Sequence, residues 1–180
     1  MIAVRLLEPE ESADPALVEQ LTDLINRVYA AAEEGLWLDG ATRTNASEVA
    51  GLIAAGEIAV ATRNGDILGS VRIHDVARDA SEFGILVADP ERRGSGIGVA
   101  LLDFVEARSR DRGLRAMQLE LLVPREWDHP SKEFLKAWYG RRGYRVIRTG
   151  SIEDAHPHLA PLLATPCDML VWEKPLSGRV

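Results

Sequence analysis

The sequence predicts a single α/β domain of the α+β kind, built on a mixed, mostly antiparallel twisted sheet of six or seven strands with about four helices on its faces. Two observations carry this prediction. An Asn64-Gly65 pair between two apolar runs is the strongest short-range signal for a β-hairpin. Over residues 83–123, an apolar strand, a glycine-rich turn, a helix and a second apolar strand predict a β-α-β crossover. A meander joined to a crossover gives a sheet with antiparallel and parallel strand pairs.

Local signals justify each element of the first half. Residues 2–7 form a short apolar run and predict the first strand. Asp14 before Pro15 is typical of a helix start, and apolar residues then recur at helical spacing. Asn45 predicts the start of a second helix, which ends at Gly56. The next three predicted strands cover residues 58–62, 67–73 and 83–87.

The second half continues with helices and strands in alternation. Apolar residues share one face of a helix that begins near Ile97 and is ended by Gly113. Residues 114–123 are nearly all apolar, as expected for a central strand covered on both faces. Pro130 with Ser131 opens a fourth helix. The last two predicted strands are 144–148 and 169–172, with a Pro- and His-containing loop at 154–166 between them.

The composition fits one domain spanning residues 1–180. Hydrophobic residues make up 46% and charged residues 27%, which is ordinary for a globular protein. We find no apolar run of eighteen residues and no signal peptide, so we expect no membrane partner. The single cysteine, Cys167, excludes an internal disulfide and indicates a cytoplasmic location. The net charge of −7 argues against a nucleic-acid partner.

Glycines at 94, 96 and 98 stand between a predicted strand and a predicted helix. They remove side chains where a backbone approaches a ligand closely, and the helix points its unpaired N–H groups at the turn. Such a turn favours phosphate. The spacing fails the Rossmann pattern, and no lysine follows as a P-loop requires. A nucleotide-dependent transferase is therefore disfavoured, although these residues alone leave it open.

Two motifs resemble those of the GNAT N-acetyltransferases. Arg93, Gly96 and Gly98 fill the R/Q-x-x-G-x-G/A pattern of that family, and Tyr139 with Gly143 lies in a stretch similar to its "lYeklGF" signature. Tyr144 takes the final aromatic position of that signature. The predicted order of elements is also that of a GNAT-like fold. The resemblance implies a fold in which coenzyme A enters a splay between the fourth and fifth strands.

The resemblance further implies where acetyl-CoA binds as co-substrate, with no metal required. The pantetheine pairs with the end of the fourth strand, and the pyrophosphate rests on the loop that follows. These positions are Leu86, Val87, Ala88, Arg93, Gly94, Ser95, Gly96, Ile97, Gly98 and Val99. Where many members carry an asparagine seven residues before the tyrosine, this chain has Lys132, so the pantetheine contact there falls to Ser131 or Lys132.

Catalytic roles follow from the same resemblance and from the two proton transfers that the reaction requires. Tyr139 stands at the general-acid position, where a phenol can protonate the leaving thiolate. The acceptor amine must lose a proton, and a carboxylate is the expected base. Glu82, at the start of the fourth strand, and Glu120, amid leucines on the fifth, are equal candidates. His74 reads as an ordinary surface histidine.

For the acceptor pocket the sequence offers an aromatic and acidic set. Glu34 and Trp37 lie between the first two helices, and Trp127 follows the fifth strand; together they suit a cationic amine. We therefore predict transfer of an acetyl group from acetyl-CoA to a primary amine, on a small molecule or a protein, by direct attack in a ternary complex. The alternative is a non-catalytic acyl-CoA sensor of the same fold. Family members often pair through sheet edges, so the resemblance allows a homodimer.

Overall fold

The computed structural model describes residues 1–92 and 94–176. Within them, seven strands and five α-helices follow one another in the order β1-α1-α2-β2-β3-β4-α3-β5-α4-β6-α5-β7. The strands are β1 (Ala3–Leu6), β2 (Ile58–Arg63), β3 (Asp66–Ala77), β4 (Ala80–Ala88), β5 (Ala116–Pro124), β6 (Arg145–Ser151) and β7 (Cys167–Pro175). The helices are α1 (Pro15–Ala32), α2 (Ala46–Ala54), α3 (Ile97–Asp111), α4 (Pro130–Arg141) and α5 (Ile152–Ala155).

The strands form one sheet in the order β1-β2-β3-β4-β5-β7-β6. Every neighbouring pair is antiparallel except β4 and β5, which run parallel because α3 connects them as a crossover. This arrangement confirms the predicted mixed, mostly antiparallel sheet and its GNAT-like order.

The parallel pair is short. Only Ala80–Glu82 pairs with Ala116–Gln118, although both strands continue for six more residues. Beyond Glu82 and Gln118 the two strands therefore separate, and the sheet opens between them. This opening is the splay that the family resemblance implies.

Two apolar layers cover the sheet unequally. One face packs under α3 and α4, with Phe83, Leu101 and Tyr144 in its core. The other packs under α1 and α2, but that cover stops at β4, because the core formed with α1 and α2 includes residues of β2 and β4 and none of β5. The far half of this second face carries the polar side chains of Gln118 and Glu120 and, beyond them, a smaller apolar cluster of Leu36, Leu122, Ile152, Cys167 and Met169.

Gly69 allows a close contact between β3 and the start of α3, and the sequence analysis did not identify this role. A Cβ on Gly69 would lie 2.5 Å from the Val87 carbonyl oxygen and 2.7 Å from a methyl group of Ile97. The bare backbone of β3 thus lets the first turn of α3 sit directly on the sheet. That contact fixes the start of α3 relative to the end of β4.

Most element starts agree with the local signals. Asp14 and Asn45 cap α1 and α2 through their side chains, and Asn64-Gly65 forms the hairpin with both residues at positive φ. One expectation was wrong. Residues 114–123 are not covered on both faces, because Gln118 and Glu120 remain half-buried on the side that α1 and α2 leave open. Helix α5 and three short 3-10 helices, Pro9–Ala13, Pro90–Arg92 and Ala160–Leu162, were also absent from the prediction. No helix among the described residues is long and apolar enough to cross a membrane.

Candidate active site

The glycine loop, residues 94–98, joins β4 to α3 and forms one side of the candidate site. Gly94 and Gly96 have φ angles of 76° and 81°, and a Cβ on either would meet no atom within 4 Å. Gly96 is the N-cap of α3 and no side chain caps the helix. The first N–H groups of α3 therefore point into open space with the positive end of the helix dipole behind them. This arrangement fits a pyrophosphate group.

The predicted cofactor residues around this loop differ in which of their groups can reach a ligand. Ile97 is buried in the core, so only its backbone faces the loop, whereas Val99 is exposed. The Ser95 hydroxyl donates to the Arg92 carbonyl oxygen at 2.6 Å and braces the turn. Arg93, the cation of the motif, lies outside the described residues.

A bulge in β4 lies where the predicted pantetheine contacts fall. Ile85 and Leu86 together face only Val71 of β3, because the pairing moves from Ser70–Val87 to Arg72–Gly84. Ile85 adopts a φ of 48°, which is an outlier for a β-branched residue and costs about 1 to 3 kcal/mol. The bulge takes the backbone around Leu86 out of the β3 ladder on the border of the splay. Neither Ile85 nor Leu86 pairs with β5. No sequence signal indicated this strain.

Glu82 and Glu120 lie on the same face of the sheet. Glu82 pairs in register with Gln118, and Glu120 is two residues farther along β5, so both point to the side opposite α3. Burial, and next the Glu120 charge, raise the pKa of Glu82 to about 7. A carboxyl group that gains and loses its proton near neutral pH suits a general base.

Two histidines stand beside these carboxylates: His74, which the sequence analysis took for an ordinary surface residue, and His156, to which it gave no role. The Nε2 atom of His156, just after α5, lies 2.7 Å from Glu120 Oε2. His74 Nε2 lies 3.8 Å from Glu82 Oε1, and burial lowers the pKa of this histidine. His74 is thus not an ordinary surface histidine. It pairs with Glu82 across the β3–β4 hairpin, a register that the predicted strands did not reach because they ended at residue 73 and began again at residue 83.

Tyr139 is buried on α4, with its ring 5.9 Å from Phe83 and 5.9 Å from Tyr144 between ring centroids. Its hydroxyl donates no hydrogen bond to any described residue. Burial, and next the Tyr29 phenol, raise the pKa of Tyr139 well above its ordinary value. The phenol therefore keeps its proton at neutral pH, as a general acid requires.

Lys132 is committed to an ion pair, which corrects the expectation that it contacts pantetheine. Its Nζ lies 2.6 Å from Glu33 Oε2, and the two side chains are only 6% and 5% exposed. Glu33 Oε1 also accepts from the Trp37 indole at 3.4 Å. The pair joins the start of α4 to the end of α1. Ser131 uses its backbone N–H to cap α4 with His129.

The predicted acceptor residues belong to one cluster, formed by the α1–α2 segment, the β5–α4 loop and the loop before β7. Trp127 donates to the Thr165 hydroxyl at 3.1 Å, and its ring lies 5.3 Å from that of His129 between centroids. His129 Nε2 in turn lies 2.9 Å from the carbonyl oxygen of Glu34. Trp37 forms a β-bridge with Leu163. These contacts hold the three segments together, and the Glu34 side chain remains exposed.

Cys167 has no nucleophilic character here. Its buried thiol donates to the Thr165 carbonyl oxygen at 3.4 Å, and burial raises its pKa to about 11. Among residues 1–92 and 94–176, no group of three or more His, Cys, Asp or Glu side chains is placed to hold a metal ion.

Comparison with known proteins agrees with this geometry. A family model described as an acetyltransferase (GNAT) domain matches residues 54–146, just over half of the chain. A comparison with curated proteins gave no match.

Solved structures share the fold at low sequence identity. An aminoglycoside 6'-N-acetyltransferase complexed with coenzyme A is 16% identical with a TM-score of 0.72, and the alignment covers 99% of both chains. The ribosomal-protein-S18-alanine N-acetyltransferase from Escherichia coli is 16% identical with a TM-score of 0.59, over 100% of this chain and 97% of that one. A GNAT-family protein from Desulfovibrio desulfuricans described as a putative acetyltransferase is 16% identical with a TM-score of 0.64, over 98% and 100%. With the family model, the splay and the glycine loop in agreement, the chain belongs to the GNAT acetyltransferase family.

Proposed function

We propose that this protein transfers an acetyl group from acetyl-CoA to a primary amine by direct attack within a ternary complex. The observation that carries the proposal is the early separation of β4 and β5. It leaves an opening bordered by the α3 N-terminus at one end and by Glu82 at the other. A phosphate-bearing acyl donor fits the first and an amine fits the second.

The chain's own groups can serve each requirement of the reaction. Acetyl-CoA supplies a thioester, which is an activated acyl group with a thiol as leaving group. The glycine loop holds its pyrophosphate, and the backbone freed by the bulge at Ile85 and Leu86 meets the pantetheine amides and the thioester oxygen. Glu82 takes a proton from the amine, and Tyr139 gives one to the departing sulfur. The buried Cys167 thiol supports direct attack over a covalent intermediate on that residue.

The acceptor class rests on similarity alone. The aminoglycoside enzyme and the S18-alanine enzyme share the fold, so a small-molecule amine and a protein N-terminus both remain within the proposal. A cytoplasmic location and a homodimeric assembly likewise stay predictions from the sequence.

The first test measures thiol release from acetyl-CoA with a panel of alkylamines, arylamines and short peptides. Acetylation of any of them supports the proposal. Calorimetry that shows no coenzyme A binding to folded protein contradicts both the enzyme and the sensor alternative.

A Tyr139→Phe variant then separates these two alternatives. Because the hydroxyl makes no hydrogen bond to a described residue, we expect unchanged coenzyme A affinity. As a general acid it contributes about 10²-fold or more, so kcat should fall by roughly that factor. A sensor would show coenzyme A binding with no amine-dependent thiol release in wild type and variant alike.

A further inference from the structure

Glu82 and Glu120 present hydrogen-bond acceptors that the described residues leave unused. Glu82 accepts no hydrogen bond from any of them, and Glu120 accepts one, from His156, at Oε2. Their side chains are 18% and 26% exposed, so both are largely desolvated yet reachable from outside. Two half-buried carboxylates with vacant oxygens on one face need a donor that carries positive charge.

The cations nearby do not fill this need. Arg72, which pairs with Gly84 two residues along β4 from Glu82, is bound to Glu57 at 2.7 Å. His74 stays beyond hydrogen-bond distance at 3.8 Å, and its lowered pKa keeps the ring neutral. Arg148 of β6 acts on Glu82 through its charge but makes no ion pair with a described residue. It pairs with Val171 of β7, which pairs in turn with Glu120 of β5.

The placement of the two carboxylates suits one small cation. Glu82 is the last residue of β4 that pairs with β5, and Glu120 lies two residues past the last paired residue of β5 on the same face, so both side chains border the opening between the strands. An ammonium group carries three N–H donors, enough for one oxygen of each carboxylate and one further acceptor.

Resting on the proposed function, we infer that Glu82 and Glu120 form the docking site for the acceptor's ammonium group, with His156 as the residue that positions Glu120. The acceptor class is then an alkylamine that arrives protonated, rather than an arylamine that arrives neutral. One N–H proton of the ammonium passes to Glu82, its electron pair stays on nitrogen, and the amine becomes nucleophilic beside the splay. Glu120 holds the amine in place.

Benzylamine and aniline make a matched probe pair, since they differ by one methylene and only the first is mainly protonated at pH 7.5. With saturating acetyl-CoA, Glu120→Gln should raise KM for benzylamine about 10-fold or more, because a charge-assisted hydrogen bond is lost. KM for aniline should change less than about 2-fold on the same reasoning. His156→Gln should also raise KM for benzylamine, but by a smaller factor. His158→Gln is the control, because His158 is exposed and its ring centroid lies 6.2 Å from that of His156.

The pH profile supplies a readout that a merely structural role would not move. The Glu120 charge raises the pKa of Glu82 and the His156 charge lowers it. Glu120→Gln should therefore shift the acid limb of kcat/KM to lower pH, and His156→Gln should shift it to higher pH. Arg72, His74 and Arg148 remain in both variants. The inference would be overturned if Glu120→Gln changed KM equally for the two amines, or if the acid limb of kcat/KM moved in the same direction in Glu120→Gln and His156→Gln.

A binding measurement keeps this test separate from that of the proposed function. If wild type acetylates neither probe, carboxyl ¹³C signals of Glu82 and Glu120 in the acetyl-CoA-bound protein report docking directly. Shifts of both signals with benzylammonium and not with aniline support the inference, even where turnover fails. Unmoved signals at saturating benzylammonium overturn it, whatever other amine the enzyme acetylates.

Discussion

The glycine loop and the Glu82–Glu120 face use opposite means to prepare a ligand site. The loop offers backbone N–H groups and bare glycines at the start of α3, so its chemistry lies in five consecutive residues. The carboxylate face offers side chains from β4, β5 and the segment after α5, which the sheet brings together from distant parts of the chain. A backbone site can be read locally, whereas a side-chain site depends on the complete sheet.

The largest expected effect separates the two regions. Gly96→Glu places a negative charge where the pyrophosphate should rest, and like-charge contact costs several kcal/mol, so coenzyme A affinity should fall by about 10³-fold or more. Calorimetry measures the affinity. Gly65→Glu is the matched control, because Gly65 also has a positive φ and open space but lies at the hairpin tip. Equal losses in both variants would mean that backbone strain, and not the phosphate site, explains the effect.

The converse change addresses the carboxylate face. Glu82→Gln keeps the size of the side chain and removes the base, so kcat should fall by about 10² to 10³-fold while coenzyme A affinity stays unchanged. Steady-state kinetics with the best amine of the panel measures this. A loss of coenzyme A affinity of similar size would show that the two regions are not independent, and the comparison would fail.

The same difference explains which features could be predicted from the sequence: those set by neighbouring residues could, and those set by the assembled sheet could not. The capping residues Asp14 and Asn45 and the Asn64-Gly65 turn act within a few residues, so local patterns predicted them correctly. The bulge at Ile85 could not be predicted, since isoleucine is among the residues least suited to a positive φ. The His156–Glu120 contact joins residues 36 apart through the pairing of β5 with β7 and of β7 with β6, and no local pattern records those pairings.

A third change tests the connection between α1 and α4. Lys132→Met removes one partner of the buried Lys132–Glu33 pair and leaves an uncompensated charge, which should cost about 3 to 5 kcal/mol in the free energy of unfolding. Urea denaturation measures it. The double variant Lys132→Met with Glu33→Met should recover most of the loss, because apolar replacements of both partners are often neutral. A double variant as unstable as the single one would show that Glu33 is needed for another contact, such as its bond from Trp37.

The smallest effect concerns the cost of keeping Glu82 half-buried. Its pKa of about 7 in the folded state exceeds the ordinary 4.5, so the folded protein binds this proton more tightly than the unfolded chain. The associated stability is fully present below pH 4.5 and is lost as the pH rises through about 7. Glu82→Gln abolishes this loss, so its free energy of unfolding should gain about 2 to 3 kcal/mol relative to wild type between pH 4.5 and pH 8. Urea denaturation of both proteins at pH 5 and pH 8 measures the difference, and a gain independent of pH would mean that Glu82 is ionised throughout.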